Sequence, residues 1–373
     1  MMNLIKRATV AVTGSAIAAR TVASLALLLF GSTSAFADIV VDPNATPCIA
    51  TFSAHYTTIQ AAVSAAPSGA TIQVCPGTYA EQVTIATPLT LRGVTNTAGN
   101  TGASVVTLPG GTFTGAFAQI LIQAAGVNLV GLGVDGTNTL SGCSSATLTG
   151  ILFGTAASGS LKQVALRNHN VSNGSGGYCG SGTPVAATSA ASVTVTDSSV
   201  RNFDSIGIDL STTSTVTVKT TTLAPINPSA NCINANAPTV VVSSNTMSNC
   251  GVGVYVATTV QGTVSGNTVV VGNAGGDSTT GVFCFPVCTG LTISGNQIFD
   301  VTDGIGLKTS GEVAGVVIEN NDISGVTNGV YLFLETGNTV SNNTINDAQV
   351  GVNGVSGNTL SGNTYKTVTT LTQ

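Results

Sequence analysis

The chain has 373 residues, of which 43% are hydrophobic and only 7% are charged, and its formal net charge is −5. Disordered chains bury too little apolar surface to fold, whereas this sequence carries Val and Ile at short, regular intervals, which excludes disorder. Its many Thr, Ser, Asn and Gly residues favour strands and turns over helices. Ten basic residues against fifteen acidic ones argue against a nucleic-acid-binding protein.

Residues 1–37 have the features of a secretory signal peptide. Basic residues precede an apolar run over residues 22–30, and a small-residue cleavage site ends at Ala37. We therefore expect residues 38–373 to form one secreted or periplasmic domain, with residues 38–80 as its N-terminal cap and first coil. An uncleaved membrane anchor is the alternative, but the run is short for a bilayer span. We expect no membrane span after signal cleavage.

One short motif recurs along the C-terminal half, as in Ser265 to Val269 (Ser-Gly-Asn-Thr-Val). Its central asparagines are Asn245, Asn267, Asn296, Asn321, Asn343 and Asn363, at intervals of 22, 29, 25, 22 and 20 residues. A buried amide is tolerated only when it is hydrogen-bonded, so we expect these side chains to stack as a structural ladder at a turn. A row of calcium-ligating asparagines is the alternative.

A second motif alternates with the asparagine motif. It is a Gly followed by alternating apolar residues, as in Gly253 to Val256 and Gly329 to Leu332, and a third short strand precedes each Asn. A period of 20–29 residues indicates a solenoid, because each coil can bury its apolar face only against its neighbours. The sequence therefore predicts an all-β fold, a right-handed, single-stranded parallel β-helix.

The N-terminal region predicts one short helix instead. Thr57 and Gln60 have capping-box spacing, and apolar residues then follow at helical intervals, namely Ile59, Ala62, Val63 and Ala66. We expect this helix to end at Pro67 and to cover the open end of the solenoid, where a bare strand edge would invite aggregation. Thr71 to Val74 is then expected to be the first strand.

Two of these segments resemble the opening of a known superfamily. Tyr56 to Val63 and Gly69 to Glu81, together with the repeated asparagine motifs, resemble pectin-lyase-like right-handed parallel β-helix repeat proteins. That superfamily includes pectate lyases, pectin methylesterases, polygalacturonases and alginate epimerases. The sequence lacks the Asp-Asp and Gly-His-Gly motifs of the polygalacturonases, the Gly-Arg-Pro of the methylesterases and the Asp-Pro-His of the epimerases. The resemblance therefore implies the fold without an intact catalytic site of the known enzymes.

All eight cysteines follow the predicted cleavage site, and an even number in an exported chain indicates disulfides. The coil alignment favours four pairs, which are Cys48 with Cys75, Cys143 with Cys179, Cys232 with Cys250, and Cys284 with Cys288. The first would fasten the N-terminal cap, and the second would join outward loops of neighbouring coils. With two histidines and no Cys-x-x-C, we expect no metal site.

Outward positions of the alternating strands should form a row along the solenoid axis, because equivalent residues stack in a parallel β-helix. These positions hold Asp209, Asn234, Tyr255, Phe283, Lys308, Tyr331 and Phe333, with Gly306 and Asn353 in the same row. Aromatic rings beside acidic, amide and amino groups would make a shallow sugar-binding strip. A loop that covers the aromatic residues is the alternative.

Candidate catalytic residues are few. Asp204 and Asp209 are the nearest candidate pair in sequence for the two carboxylates of glycoside hydrolysis. We expect Asp209 to point outward and Asp204 to lie in a solvated turn. Arg201 and Lys308 are the basic residues best placed to take an α-proton in a lyase reaction, which would also need calcium. His169 aligns near the asparagine-ladder position, which favours a structural role over that of a base.

Three functions are compatible with these features. The first is a secreted, carbohydrate-associated protein that binds a polysaccharide or serves as a surface module, without a cofactor. The second is a divergent lyase or hydrolase of uronate-containing polymers, with calcium as a possible cofactor of the lyase. The third is a structural module or adhesin with no affinity for glycans.

Overall fold

A computed structural model describes residues 39–44, 48–94, 103–111, 113–140, 142–143, 146–259, 261–270, 279–308 and 315–373. The predicted signal peptide lies outside the described residues. The described chain forms a right-handed parallel β-helix, which confirms the fold predicted from the repeats. Its one α-helix, α1, spans Ile59–Ala65, and a short 3-10 turn spans Pro109–Gly111.

The coils are built from short strands. The first are β1 (Ile39–Val41), β2 (Ala54–Tyr56), β3 (Thr71–Val74), β4 (Gly77–Ala80), β5 (Val83–Ile85), β6 (Thr90–Gly93), β7 (Ser104–Thr107), β8 (Ala116–Ile122), β9 (Val127–Val130) and β10 (Leu132–Asp135). The middle coils contain β11 (Thr147–Phe153), β12 (Ser158–Lys162), β13 (Ala165–Arg167), β14 (Gly182–Thr196), β15 (Ser199–Arg201), β16 (Ile206–Lys219), β17 (Thr222–Ala224), β18 (Asn231–Asn236), β19 (Thr239–Ser243), β20 (Thr246–Ser248) and β21 (Val252–Ala257). The last coils contain β22 (Gln261–Ser265), β23 (Thr268–Val270), β24 (Thr280–Cys284), β25 (Leu291–Ser294), β26 (Gln297–Phe299), β27 (Asp303–Lys308), β28 (Val317–Glu319), β29 (Asp322–Phe333), β30 (Thr339–Ser341), β31 (Thr344–Asn353), β32 (Thr359–Ser361) and β33 (Thr364–Thr372).

These strands form three parallel sheets that run along the solenoid. Sheet 1 holds the glycine-led strands, including β18, β21, β24 and β27, and the C-terminal parts of β29 and β31. Sheet 2 holds the strands that precede the ladder asparagines, including β19, β22 and β25. Sheet 3 holds the short strands that follow them, including β13, β15, β17 and β20. Long strands such as β16 and β29 bend and contribute to two sheets.

The first strand is not the one predicted. β1 lies between β2 and β3 and pairs in parallel with both, so two strands precede Thr71–Val74. The sequence pattern missed them because both are only three residues long and lie among irregular segments. The N-terminal end of the solenoid is therefore extended by this added pair.

Helix α1 buries the predicted apolar side chains, but the predicted capping box is wrong. The N-cap is Thr58, whose side chain accepts a hydrogen bond from the Ala61 N–H. The carboxylate of Glu81 accepts from the N–H groups of Ile59 and Gln60, both at 2.8 Å. A carboxylate from the first coil thus accepts hydrogen bonds from the free N–H groups at the start of the helix, and its negative charge interacts favourably with the positive end of the helix dipole.

The interior of the solenoid is apolar and tightly packed. At the start of the sheet 1 strands, successive coils carry Gly253, Gly281, Gly304 and Gly329, all inward. An ideal Cβ on Gly304 would lie 2.5 Å from both the Gly329 carbonyl oxygen and an Ile323 methyl group. The glycine of this motif thus occupies, in successive coils, a column of inward positions that have no room for a side chain.

The six recurring asparagines form a continuous buried ladder between sheets 2 and 3. The side-chain oxygen Oδ1 of Asn296 accepts hydrogen bonds from the backbone N–H and from the side-chain Nδ2 of Asn267, at 3.0 and 2.9 Å. Its own Nδ2 donates to the Val264 carbonyl and to Asn321 Oδ1, both at 2.9 Å. The same pattern joins Asn245 to Asn267, Asn321 to Asn343 and Asn343 to Asn363.

Hydroxyl side chains extend this ladder towards the N-terminus. Asn245 Oδ1 accepts from the Thr221 N–H, and Ser198 Oγ accepts from the Val164 N–H one coil earlier. Thr221 and Ser198 are buried, as the asparagines are. The sequence motif missed these members because Thr and Ser share the hydrogen-bonding role of Asn but not its identity.

Disulfides close four parts of the chain, and the pairs are those predicted. Cys48 pairs with Cys75, Cys143 with Cys179, Cys232 with Cys250, and Cys284 with Cys288. Cys232 and Cys250 lie inside the core of adjacent coils, where both are fully buried. The other pairs tie the N-terminal segment and the outer loops to the coils.

His169 lies at the corner after sheet 3 and not on the ladder, so its predicted alignment is wrong. Its ring is fully buried, with Nε2 2.8 Å from Gln119 Oε1, and it lies against Gly136 and Gly150. Burial lowers the pKa of His169 to about 3, against the opposing influence of the Asp135 charge. The imidazole is therefore neutral near pH 7 and shielded from substrates.

Replacing a central ladder residue should destabilise the fold strongly. Asn296→Ala would remove the acceptor of the Asn267 backbone N–H, one of the two acceptors of Asn267 Nδ2 and the side-chain donor to the Val264 carbonyl. Each stranded buried group costs about 1–3 kcal/mol. The matched control is Asn363→Ala, because Asn363 ends the ladder and is only half-buried, so water can replace its bonds. We expect thermal unfolding to show a clearly larger fall in Tm for Asn296→Ala. Equal falls would contradict a cooperative buried ladder.

Mild acid should destabilise the chain through His169, which stays neutral when folded but binds a proton when unfolded. Its pKa of about 3 lies below the ordinary value of 6.5, so its stabilising contribution is complete above pH 6.5 and falls as the pH drops towards 3. The slope is about 1.4 kcal/mol per pH unit below 6.5. Between pH 7 and pH 5, Tm should fall more steeply for the wild type than for His169→Gln. Parallel profiles would refute this assignment.

Candidate functional site

The outward residues of sheet 1 form one column along the solenoid. Strand register places Asp209, Asn234, Tyr255, Phe283, Gly306, Tyr331 and Asn353 on successive coils in that order. Lys308 and Phe333 form a second, adjacent column in neighbouring coils. We call the aromatic and basic part of this surface, Tyr255, Phe283, Lys308, Tyr331 and Phe333, the aromatic strip.

Two pairs of rings in the aromatic strip lie close together, one between adjacent coils and one within β29. The ring centroids of Tyr255 and Phe283 lie 5.7 Å apart, and those of Tyr331 and Phe333 lie 6.0 Å apart. The Lys308 ammonium lies 5.5 Å from the centroid of the Phe333 ring, within the range of a cation–π contact. Phe333 is 38% exposed, and Tyr255, Phe283 and Tyr331 are half-buried.

Gly306 gives the strip its flat centre. An ideal Cβ at this position would lie 3.2 Å from Cδ2 of Phe283, so the ring rests directly on the backbone of the next coil. Phe285 then stacks on Phe283, with centroids 6.3 Å apart and the planes only 7° from parallel. Phe285 is 36% exposed and belongs to the strip, although sequence alternation missed it because it follows the end of β24.

Carboxylate and amide side chains flank the rings on the same sheet. Asp209 hydrogen-bonds to Asn234, which also accepts from Asn231 Nδ2 at 3.1 Å. Further along, Asp303 Oδ1 accepts from Asn328 Nδ2 at 2.7 Å. Burial raises the pKa of both Asp209 and Asp303, and each amide contact opposes that rise.

Asn231, Asp303 and Asn328 were missed by the sequence analysis. All three lie one residue before the glycine position of a sheet 1 strand, where strand register aligns them in another outward column. A signal was present in the sequence, because Asp303-Gly304 and Asn328-Gly329 repeat a polar residue before the glycine. The predicted alternation of inward and outward residues began at the glycine of each strand, so the residue before the glycine was not included.

The four candidate catalytic residues do not meet. Arg201 ends β15 on sheet 3, whereas Asp209 and Lys308 lie on sheet 1. Asp209 and Lys308 are four coils apart, which is about 19 Å at the strand spacing of parallel sheets. A catalytic cluster of Arg201, Asp204, Asp209 and Lys308 is therefore ruled out by the geometry.

Asp204 has a structural role, and its prediction as a solvated turn residue is wrong. Its side chain is fully buried, and its carboxylate accepts from the N–H groups of Val171 and Gly182, at 3.1 and 2.6 Å. Burial raises the pKa of Asp204, while these backbone donors lower it. Asp204 thus holds together the loops that precede two sheet 1 strands.

A separate open cavity of about 610 Å³ lies at the corner between sheets 3 and 1 near the C-terminal end. Asp300 and Asp347 contribute to its lining, on either side of Gly325, and Thr302 and Thr327 add hydroxyl groups. Asp300 leans over Gly325, with Oδ1 2.6 Å from the position of an ideal Cβ. The two carboxylates lie about two strand spacings apart, with no basic residue in the lining.

Two structural features are absent from the described part of the chain. Within these residues, no group of three or more His, Cys, Asp or Glu side chains is arranged to hold a metal ion. The same residues contain no helix with the length and apolar character needed to cross a membrane.

Two family models match successive parts of the sequence. The right handed beta helix region matches residues 104–269, and the periplasmic copper-binding protein (NosD) family matches residues 265–370. No curated protein matches the sequence.

Several solved structures are similar to this chain at low sequence identity. Tailspike protein 3 of bacteriophage CBA120 is 12% identical, with a TM-score of 0.52, over 84% of this chain and 56% of that chain. The lacto-N-biosidase from Eubacterium ramulus is 8% identical, with a TM-score of 0.50, over 90% of this chain and 68% of that chain. The A-module of a mannuronan C-5 epimerase from Azotobacter vinelandii is 15% identical, with a TM-score of 0.44, over 84% of this chain and 94% of that chain.

Such low identities show a shared fold and leave the activity open, because function depends on the site and not on the fold. The three-sheet coil, the buried asparagine ladder and the family matches agree with one another. The chain therefore has a right-handed parallel β-helix fold, and its sequence is similar to the right handed beta helix region over residues 104–269 and to the periplasmic copper-binding protein (NosD) family over residues 265–370.

Proposed function

We propose that this protein is an exported polysaccharide-binding protein whose binding surface is the aromatic strip of sheet 1. The observation that carries the proposal is the register that brings Tyr255, Phe283 and Tyr331 into one outward column. Apolar rings with a few placed polar groups are the usual composition of small-molecule sites. The apolar C–H faces of sugars can pack on the rings, and sugar hydroxyl groups can hydrogen-bond to the side chains of Asn234 and Asn353.

The exposure of the rings supports a binding role over a packing role. Phe285 and Phe333 are 36% and 38% exposed, although the adjacent inward residues of the same strands are fully buried. Exposed apolar residues that cluster together mark interaction surfaces more often than isolated ones do. The exposure of Phe285 and Phe333 therefore supports an accessible strip over one that a loop covers.

The length of the column favours a polymer over a single sugar. Six coil spacings separate Asp209 from Asn353, which corresponds to about 29 Å. A surface of this length can contact several sugar units in a row. Shallow contacts with several units add up, so weak contacts at each unit are enough for binding.

Export to an oxidising compartment is consistent with the four disulfides. Such bonds persist in extracellular and periplasmic proteins and are rare in the cytosol. The predicted signal peptide of residues 1–37 provides the route and remains a prediction. We propose a secreted or periplasmic location on these grounds.

Hydrolysis on the strip has less support than binding. Asp209 and Asp303 lie about four coil spacings apart, or about 19 Å, whereas glycosidases place their two carboxyl groups roughly 5–9.5 Å apart. A lyase reaction at Lys308 would need neighbouring carboxylates for calcium, and no acidic cluster of metal-binding size lies among the described residues.

Copper binding is not supported by the segment that matches the copper-binding family. Residues 265–370 contain no His and no Met, and their two cysteines, Cys284 and Cys288, are joined in a disulfide. Imidazole, thiolate and thioether groups are the ligands that copper prefers. The residues present do not fit a copper site, and we propose none.

Removing two rings should abolish most glycan binding. In native gels that contain polygalacturonate or alginate, the double variant Tyr255→Ala/Tyr331→Ala should bind at least about tenfold more weakly than the wild type, as expected for the loss of buried aromatic contacts. The matched control is Tyr178→Ala, because Tyr178 is 37% exposed but lies in an outer loop away from the strip. Unchanged retardation of the double variant would refute the strip, and absence of wild-type binding to all tested polymers would favour a structural module or adhesin.

The enzymatic alternative predicts a different outcome. If the protein only binds polymers, incubation with pectate or alginate, with and without calcium, should leave the product chain length unchanged in mass spectrometry. Shortened, unsaturated products would instead support a lyase, and Lys308→Gln would then be the first variant to assay. Shortened products without unsaturation would support a hydrolase.

A further inference from the structure

A second polar groove lies on a different part of the solenoid from the aromatic strip. It lies where four successive coils pass from sheet 3 to sheet 1, and it has a volume of about 380 Å³. Its lining includes four asparagines and two apolar residues, which are Asn138, Asn168, Asn170, Asn202, Leu140 and Ile226. We call this surface the amide groove. Its volume lies within the usual range for small-molecule sites.

Hydrogen bonds between coils fix the asparagines of the amide groove. Asn138 Nδ2 donates to the Asn170 carbonyl at 2.9 Å, and Asn170 Nδ2 donates to the Asn202 carbonyl at 2.8 Å. Asn202 Nδ2 donates to Asn168 Oδ1 at 3.0 Å. The Oδ1 atoms of Asn170 and Asn202 accept no hydrogen bond from the described residues. The groove therefore presents oriented acceptors whose positions do not depend on a ligand.

Two arginines adjoin the lining of the groove in sequence, since Arg167 and Arg201 directly precede the lining residues Asn168 and Asn202, although neither arginine lines the groove itself. The two are register partners in adjacent strands of sheet 3, with Asp135 before them in the same column. The Nε of Arg167 bonds to Asp135 Oδ2 at 2.8 Å. Arg201 forms no ion pair with any of the described residues, so the one carboxylate in this column pairs with Arg167 alone.

The single carboxylate is already saturated. Asp135 also accepts from Asn168 Nδ2 at 3.0 Å and from the N–H and hydroxyl of Thr137, at 2.9 and 2.6 Å. Burial would raise the pKa of Asp135, but these bonds and the Arg167 contact outweigh it and lower the pKa to about 2. Like charges that face each other across strands are destabilising. Asp135 therefore offsets the charge of Arg167, and the repulsion that Arg201 adds across the strands costs stability.

We propose that the amide groove binds one acidic sugar unit, a uronate residue of a polysaccharide. The uronate carboxylate would lie against Arg201 and the free amino groups of Arg167, which suit planar carboxylates. Sugar hydroxyl groups would donate to the Oδ1 atoms of Asn170 and Asn202. The apolar face of the ring would pack on Leu140 and on Ile226, which is 39% exposed.

The local charge of the groove makes this site selective. Two arginines beside one carboxylate leave a local excess of positive charge in a chain whose formal net charge is −5, so an acidic sugar is attracted at close range and not by the chain as a whole. A nucleic acid would need many basic contacts along its backbone, and the groove provides two. A single carboxylate on a sugar matches both the charge and the amide lining.

Titration calorimetry with trigalacturonate and trimannuronate tests the site. We expect Arg201→Gln to weaken the binding of at least one of them by about tenfold or more, because a charge-assisted hydrogen bond is lost. Without ligand and at low salt, the same variant should have a higher Tm than the wild type, since the like-charge contact is removed. The matched control is Arg92→Gln, which removes an exposed arginine from β6 of sheet 2 and should change neither result.

Two further comparisons separate this site from the aromatic strip. The Tyr255→Ala/Tyr331→Ala variant should retain the Arg201-dependent binding of the trimer, even if its affinity for long polymers is lost. The neutral trisaccharide galactotriose should bind about tenfold more weakly than trigalacturonate, or not at all. The proposal is overturned if neither uronate trimer binds, if Arg201→Gln binds as the wild type does, or if galactotriose binds equally well.

Discussion

The satisfaction of buried amides between coils is the constraint on which the rest of this structure depends. A parallel solenoid must turn its chain at every corner, and a corner that faces the interior carries polar groups away from water. An unpaired buried amide or carbonyl would cost about 1–3 kcal/mol. The ladder from Asn245 to Asn363 meets that demand because each amide accepts from the previous coil and donates to the next.

The ladder also fixes register, and register creates the surfaces. A shift of one residue between neighbouring coils would separate the ladder partners and turn inward residues outward. Once the ladder is in place, every outward position falls into a column along the axis. The aromatic strip on sheet 1 and the Arg167–Arg201 pair on sheet 3 are both products of this alignment.

The few charged residues have different uses on different parts of the solenoid. Asp204 and Glu81 are structural, because each holds backbone N–H groups that the coils leave without partners. Asp135 neutralises one arginine and anchors Asn168. Arg201, like every described basic residue except Arg167, forms no ion pair, and it differs from the others because a second arginine is its register partner in the adjacent strand. In a chain with so few ionic groups, two arginines that face each other indicate a binding surface more strongly than a single charged residue does.

The sequence by itself determined the coil, the ladder, the glycine column and the cysteine pairs, because each repeats at a spacing that one coil geometry explains. It also placed Tyr255, Phe283 and Tyr331 in one row, since alternation along a strand decides which side a residue faces. It could not show that Arg201, Asp204, Asp209 and Lys308 lie apart, because closeness in sequence says little about closeness around a solenoid. The amide groove was also beyond its reach. Its residues come from four loops without a common motif, and only the stacking of the coils brings them together.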